Sequence, residues 1–135
     1  SSSSYSSVSV PFNMGAVSQA LGLSTDEMKA VGRTATSNPR FVGVSSTGAI
    51  TTGTTTSTSS VTCYGHWFNA AGNVCNYDAS AYIYSEFYPA TYTTNVGQYP
   101  GHLVAGKTYT VRQAIQYTKN GKQYKATFVI NLKAK

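Results

Sequence analysis

The C-terminal stretch YTVRQAIQYTKNGKQYKATFVINL, residues Tyr109–Leu132, alternates apolar and polar side chains on either side of Asn120-Gly121. Asn-Gly is the preferred dipeptide of a two-residue type I′ turn, so the sequence predicts a β-hairpin closed at that point. One face would then be apolar, pairing Tyr117 with Tyr124, Ile115 with Ala126, Val111 with Ile130 and Tyr109 with Leu132. The other face would carry Arg112, Gln116, Lys125, Thr127 and Lys133. Such two-faced strands are typical of an antiparallel sheet that packs on a second layer.

The composition of the whole chain also favours strands. The 135 residues suit one domain with its own core; 41% are hydrophobic and only 10% charged. Serine (17), threonine (18) and tyrosine (11) are abundant, whereas helical bundles need Glu, Lys, Leu and Ala. We expect an all-β antiparallel sandwich, jelly-roll-like, with one or two short N-terminal helices. No apolar run approaches the ~20 residues of a membrane span, so no membrane insertion is expected.

The N-terminal region divides into a tail and two short helical segments. Residues 1–7 form a Ser-rich stretch typical of a linker, so we expect the domain to span 8–135. Asn13 is a suitable N-cap for a helix ending at Gly22, and Ser24-Thr-Asp-Glu27 has the spacing of a capping box.

A second hairpin is predicted in the middle of the chain. Ala81–Phe87 alternates cleanly and can pair with Tyr92–Gly97 through a turn at Pro89-Ala90. That register pairs Phe87 with Tyr92, Ile83 with Val96, Tyr84 with Asn95 and Glu86 with Thr93. The Thr/Ser tract Gly53–Ser60 favours a mobile loop or a ragged edge strand.

The formal net charge is +6, and seven of the ten basic residues lie between Lys107 and Lys135. Lysines on strands commonly serve as solvated charges that prevent aggregation. Nucleic acid is the alternative partner for a basic face, but these lysines lack the interleaved aromatic residues of single-strand binders. We therefore expect no nucleic-acid partner.

The titratable residues point to no catalytic or metal site. Asp26 and Glu27 suit the start of a helix, whereas Asp78 and Glu86 suit a loop cap and a polar strand position. The latter two are weak candidates for the carboxylate pair of a glycosidase. Cys63 and Cys75, with one histidine between them, match no standard zinc spacing. No catalytic residue, metal or cofactor is therefore predicted.

Cys63 and Cys75 bracket a loop of eleven residues. In an exported protein two such cysteines most simply form a disulfide, and we expect that bond. The alternative is two buried free thiols on neighbouring strands.

Aromatic residues are the strongest functional signal, with ten of them between Tyr64 and Tyr99. Flat rings stack on sugar rings, and amides and carboxylates bind hydroxyl groups, so the stretch predicts a ligand-binding surface. The candidate rings are Trp67, Tyr64, Tyr77, Tyr82, Tyr84, Tyr88 and Tyr99. The candidate polar groups are Asn69, Asn76, Glu86, Asn95 and Gln98. Alternatively, the N-terminal helices cover the row Tyr82, Tyr84 and Tyr88 and make it core.

Several segments resemble a family of exported domains of unknown function: GHWFNAAGNVC (Gly65–Cys75), YSEF (Tyr84–Phe87), NVGQYPG (Asn95–Gly101), YTVRQA (Tyr109–Ala114) and PFNMGAVSQALGLS (Pro11–Ser24). The resemblance implies export and an origin in gut-type anaerobic bacteria, where such domains accompany polysaccharide-degrading enzymes. It implies no catalytic residue.

These observations together predict a non-catalytic carbohydrate-binding module. It would be a secreted or cell-surface monomer that carries a covalently linked catalytic domain to a neutral β-linked plant polysaccharide. One alternative is a structural or protein-interaction module of a cell-surface assembly, with the basic hairpin as its contact face. A small glycan-active enzyme is a third possibility.

Overall fold

The computed structural model describes residues 3–51, 55–56 and 63–135, with the backbone alone at 55–56. The helices of these residues are α1 (Met14–Leu21) and α2 (Thr25–Lys29). The strands are β1 (Ser7–Pro11), β2 (Arg40–Val44), β3 (Ile50–Thr51), β4 (Thr55–Thr56), β5 (Tyr64–Phe68), β6 (Val74–Cys75), β7 (Ile83–Tyr88), β8 (Thr93–Gln98), β9 (Thr108–Lys119) and β10 (Lys122–Lys133). The rest of the predicted Thr/Ser loop, apart from β4, lies outside the described residues.

The strands form two antiparallel sheets. The large sheet has the order β1-β8-β7-β5-β4, with β6 also paired to β5, and the small sheet has the order β10-β9-β2-β3. Strands distant in sequence are neighbours, as β1 is to β8 and β2 is to β9. The prediction of an all-β sandwich with two short helices is therefore confirmed.

The C-terminal hairpin has the predicted register. All four apolar pairs occur as expected, from Tyr117 opposite Tyr124 to Tyr109 opposite Leu132. Asn120 and Gly121 both have positive φ, 53° and 75°, as a type I′ turn requires. The turn therefore sets the alignment of the two longest strands.

The register predicted for the middle hairpin is wrong by two residues. Phe87 lies opposite Thr94 rather than Tyr92, and Glu86 lies opposite Asn95. The connection is longer than predicted because Tyr92 still belongs to the turn, with φ 52° and its amide 2.9 Å from the Tyr88 carbonyl oxygen. A shift of two leaves every side chain on its predicted face, so the row Tyr84, Glu86 and Tyr88 still points outward.

The two helices close one end of the core. Asn13 caps α1 through the Ala16 amide, and Ser24 and Glu27 form the predicted capping box of α2. Their buried side chains pack with core residues of both sheets and of the β7–β8 turn, namely Phe41, Ile115, Tyr64, Phe87 and Tyr92. The apolar side chains of the helices thus pack between the sheets and not over the outward tyrosine row.

A buried polar network links the two sheets. Gln113 of the small sheet lies 3.5 Å from His66 Nδ1 and donates to the Ser85 hydroxyl, while its carbonyl oxygen accepts from Thr94, also at 3.5 Å. All four side chains are at most 2% exposed. Because the Gln113 amide nitrogen donates, Nδ1 accepts, and His66 is neutral in this arrangement.

The N-terminal stretch expected to be a linker is attached to the large sheet. Ser7 begins β1, and the Ser6 carbonyl oxygen accepts from the Gln98 amide at 3.1 Å. Among the described residues no helix is long and apolar enough to cross a membrane.

Candidate functional site

The outer face of the large sheet places aromatic side chains on adjacent strands. Trp67 lies opposite Tyr84, and Tyr84 lies opposite Gly97 on the next strand. A Cβ at Gly97 would come within 2.5 Å of the Tyr84 ring, so that ring lies directly over the glycine backbone. Glycine is therefore required at this position to let the tyrosine lie across the sheet.

Five rings form one contiguous group on this face, which we call the aromatic cluster: Tyr5, Trp67, Tyr77, Tyr84 and Tyr99. The Trp67 ring centroid is 4.8 Å from that of Tyr77, 5.6 Å from Tyr84 and 5.8 Å from Tyr99. Tyr5 lies 6.1 Å from Tyr84 and 6.2 Å from Tyr99. These separations are those of favourable aromatic pairs. The cluster therefore stabilises itself while part of it faces solvent.

The rings of the aromatic cluster do not form one flat platform. Contacting rings are inclined to one another by 32° to 65°. Tyr77 is 62% exposed and Tyr5 is 53% exposed, whereas Trp67 is partly buried among its neighbours. The most exposed rings are therefore Tyr77 and Tyr5, and they are supported by the partly exposed Trp67, Tyr84 and Tyr99.

Two tyrosine hydroxyl groups of the cluster, those of Tyr5 and Tyr99, have raised pKa values and stay neutral. The hydroxyls of Tyr5 and Tyr77 lie 3.3 Å apart, and this hydrogen bond raises the pKa of Tyr5 to about 12. The proximity of Tyr77 also raises the pKa of Tyr99. At physiological pH these groups can donate and accept hydrogen bonds but carry no charge.

The aromatic surface continues from Tyr99 to Tyr82 through a histidine. The His102 ring lies 4.5 Å from Tyr99 and 5.1 Å from Tyr82. Tyr82 also lies 6.2 Å from Tyr109, whose ring is in the core. Tyr82 therefore lies between the surface and the interior at this end of the sandwich.

Polar groups lie next to the cluster on the same strands. Glu86 is two residues from Tyr84, about 7 Å along the strand, and faces Asn95 across the sheet. The Cys63 thiol donates to Glu86 Oε2 at 3.8 Å. Burial and the Glu86 carboxylate raise the pKa of Tyr88. Rings, a carboxylate and an amide thus share one face, the combination that binding sites for polar ligands use.

Three predicted site residues lie elsewhere. Tyr64 is in the core, and its hydroxyl donates to the Val31 carbonyl oxygen at 2.9 Å. Gln98 is only 6% exposed, and its amide nitrogen donates to the Ser4 carbonyl oxygen at 2.7 Å. Asn69 accepts from the amides of Ala71 and Asn73, both at 3.0 Å, and so holds its own loop. Asn76 is exposed, directly before Tyr77.

The predicted disulfide is wrong, because both cysteines are free thiols. Cys75 pairs with Trp67, which is four residues along the chain from Cys63, so about 13 Å of extended strand separates the two positions. A disulfide needs Cα atoms within about 7 Å. Burial raises the pKa of the Cys75 thiol, which keeps it protonated.

The remaining acidic residue of this region has a structural role. Asp78 accepts from the Ser80 amide at 2.9 Å and from its hydroxyl at 2.5 Å, and these bonds lower the pKa of the carboxyl group. Within the ranges described above, no three side chains of His, Cys, Asp or Glu are grouped to hold a metal ion.

Tyr5 is absent from the predicted site residues although it is one of the two most exposed rings of the cluster. Its flanking serines suggested a linker, so the only available signal was an isolated aromatic residue in a polar stretch. Its position depends on backbone contacts of Ser4 and Ser6 with Gln98, which no local pattern reveals.

Comparison with protein families identifies a match over most of the chain. A family model described as Domain of unknown function (DUF4859) matches residues 4–132, and thus includes Tyr5 and the whole sandwich up to Leu132. No curated protein and no solved structure matches the chain.

Proposed function

The chain belongs to the DUF4859 family, whose description names no activity, and from the geometry of its outer face we propose that it is a non-catalytic carbohydrate-binding module. The observation that carries the proposal is the aromatic cluster with its two exposed tyrosines. The exposed rings present more apolar surface than solubility needs. Rings beside hydrogen-bonding side chains suit the apolar faces and hydroxyl edges of sugars.

The proposed ligand is a neutral β-linked plant polysaccharide, such as xylan, xyloglucan or a mixed-linkage glucan. Tyr77 and Tyr5 would stack on successive sugar rings, while Trp67, Tyr84 and Tyr99 pack beneath these two tyrosines. Asn95 and Asn76 would donate hydrogen bonds to the sugar hydroxyl groups and accept from them, and the Glu86 carboxylate would accept from them. Glu86 is the one carboxylate on the strands of this face, which suits binding better than hydrolysis.

In the full-length protein we propose that the module is covalently linked to a polysaccharide-degrading enzyme and is secreted or held at the cell surface. Binding would raise the local concentration of that enzyme on an insoluble substrate. The module would act as a monomer, since each copy carries a complete face.

Affinity gel electrophoresis in each of the three polysaccharides tests the proposal. We expect retardation of the native protein, and Tyr77→Ala should weaken binding by about 1–3 kcal/mol, taking base–aromatic stacking as the nearest analogue. Because Tyr77 is 62% exposed, that change should leave the thermal midpoint nearly unchanged. Trp67→Ala should weaken both binding and stability, since its ring supports three others.

The matched control is Tyr124→Ala, which removes a partly buried tyrosine from the inner face of the small sheet, away from the aromatic cluster. It should reduce stability and leave retardation unchanged. If no neutral polysaccharide retards the native protein, or if Tyr77→Ala binds as well as the native protein, the carbohydrate proposal fails. The protein-interaction module would then be the better explanation.

A further inference from the structure

A second candidate site lies on the small sheet, away from the aromatic cluster and independent of it. A pocket of about 260 Å³ lies between the loop 33–39 and the outer face of β2, β9 and β10. Its lining is mainly polar and includes Thr36, Arg40, Gln116, Thr118 and Gln123.

The loop that walls the pocket is held rigidly. Its two ends meet at a bridge between Gly32 and Arg40, where the Phe41 amide donates to the Gly32 carbonyl oxygen at 2.7 Å. The Asn38 side chain pairs with the Thr118 backbone, donating to its carbonyl oxygen at 2.8 Å and accepting from its amide at 2.9 Å. The pocket is therefore formed before any ligand arrives, which lowers the entropic cost of binding.

Arg40 brings an uncompensated charge to this pocket. Its Nε is buried and has no hydrogen-bond partner among the described residues. No carboxylate occurs on β2, β9 or β10, since the four acidic residues are Asp26, Glu27, Asp78 and Glu86. Leaving a buried donor of a charged group unpaired is costly. Since Nε is closed to a water-sized group in this arrangement, an anion in the pocket would supply the missing acceptor once the Arg40 side chain turns towards it.

Further groups for a ligand surround Arg40. Across the sheet Arg40 faces Gln116, and Gln116 faces Lys125, so a second cation lies about 10 Å away on the same face. Gln116, Thr118 and Gln123, which carry two amides and a hydroxyl, also line the pocket. A cation flanked by amides and a hydroxyl suits a ligand that carries both a negative charge and hydroxyl groups.

We propose that this pocket binds the carboxylate of an acidic sugar, a hexuronate, with Arg40 as the main contact. The planar guanidinium matches a carboxylate through two parallel hydrogen bonds. The two amides and the Thr118 hydroxyl would bind the sugar hydroxyls, and Lys125 would add long-range attraction. The volume suits a single sugar residue, being below the range of sites for larger ligands.

The experiment is an NMR titration of the ¹⁵N-labelled protein that follows the Arg40 Nε–Hε signal and the backbone amides of the pocket. The probes are galacturonate, galactose, inorganic phosphate and sulfate at matched ionic strength. We expect galacturonate to shift the Arg40 Nε–Hε signal and the amides of Thr36, Gln116 and Thr118, and galactose to shift none of them.

Two variants each remove one positive charge from this face of the sheet. Comparing them distinguishes binding at this site from general attraction to a basic surface. Arg40→Gln should weaken galacturonate binding by about ten-fold or more, the loss expected for a charge-assisted hydrogen bond. Arg112→Gln, outside the pocket and opposite Val44 and Val129, should change it by less than about two-fold. If Arg40→Gln does not fold, the Nε–Hε shift of the native protein still decides the question.

Three outcomes would overturn the proposal. The first is a galacturonate titration that leaves the Arg40 signal unmoved. The second is phosphate or sulfate producing the same shifts at the same concentration, which would indicate an anion site without sugar recognition. The third is an equal loss of galacturonate affinity in both variants, which would indicate attraction to the basic sheet as a whole. None of these bears on the aromatic cluster, whose tests use neutral polysaccharides.

Discussion

Mild acid should destabilise this fold through His66. The ring is 2% exposed and lies between Phe41 at 5.6 Å and Phe68 at 5.9 Å. Burial lowers the pKa of His66 to about 4, well under its ordinary value of 6.5. Protonation would also put an N–H group on Nδ1 against the Gln113 amide nitrogen, which already donates there. The folded state therefore binds a proton at His66 less readily than the unfolded chain does.

The size of the effect follows from the two pKa values. Between about pH 6.5 and 4 the unfolded chain binds more protons than the folded one, so stability falls as the pH falls through this window. At 1.36 kcal/mol per pKa unit the full difference is about 3 kcal/mol. Between about pH 7.5 and 5 the expected loss in free energy of unfolding is about 2 kcal/mol. Glu27 and Asp78, whose pKa values are lowered, contribute at lower pH, below their ordinary values.

Urea unfolding followed by circular dichroism at several pH values between these limits measures the loss directly. His66→Gln should remove most of the pH dependence, whatever its effect on absolute stability, because the replacement does not titrate. His102→Gln, at the other histidine, should retain it. A free energy of unfolding that is constant across this range, or a pH dependence that survives in His66→Gln, would refute the reasoning.

Three further predictions concern packing and covalent state. Gly97→Ala should cost about 1–3 kcal/mol by overpacking, because the new Cβ would lie 2.5 Å from the Tyr84 ring and from the Ser6 carbonyl oxygen. Scanning calorimetry would show a lower midpoint, and an unchanged midpoint would contradict the position of Tyr84. Gly121→Ala should cost about 1–2 kcal/mol, since alanine must adopt φ near 75° in a turn where nothing crowds its side chain. Equal urea midpoints for native and variant would speak against a type I′ turn. Alkylation in denaturant without reductant should add two groups per chain by intact mass, because both cysteines are free thiols. A chain that gains none would show the disulfide after all.

Local sequence signals predicted the parts of the fold that local chemistry controls. Asn120-Gly121 fixes the β9–β10 register, and the Ser24–Glu27 capping box places α2. The β7–β8 register could not be predicted from local signals because it depends on Tyr92. Tyr92 has a positive φ, its ring is buried, and its hydroxyl donates to the Met28 carbonyl oxygen at 3.0 Å. A tertiary contact 64 residues away thus sets the length of the turn.

The residues of the candidate site likewise divide into those that a local pattern predicts and those that it does not. Alternation along β7 correctly placed Tyr84 and Glu86 on the outward face, because side-chain direction follows from strand period alone. Tyr64 lies on the opposite face of its strand from Trp67, and spacing within the aromatic stretch did not show which of the two would be buried. Tyr5 and the Arg40 pocket depend on segments far apart in the chain, so neither could be predicted from a local pattern.

The position of Trp67 also makes the aromatic cluster observable without a label. The chain has one tryptophan, and three tyrosine rings lie within 6 Å of it, by centroid, on the outer face of the large sheet. Intrinsic fluorescence excited at the red edge therefore reports on this face alone, while excitation of the tyrosines reports on it through energy transfer to the indole. Under red-edge excitation a change in emission colour or polarisation would reflect events at the cluster, whereas tyrosine excitation would also reach Tyr109, Tyr117 and Tyr124 of the small sheet.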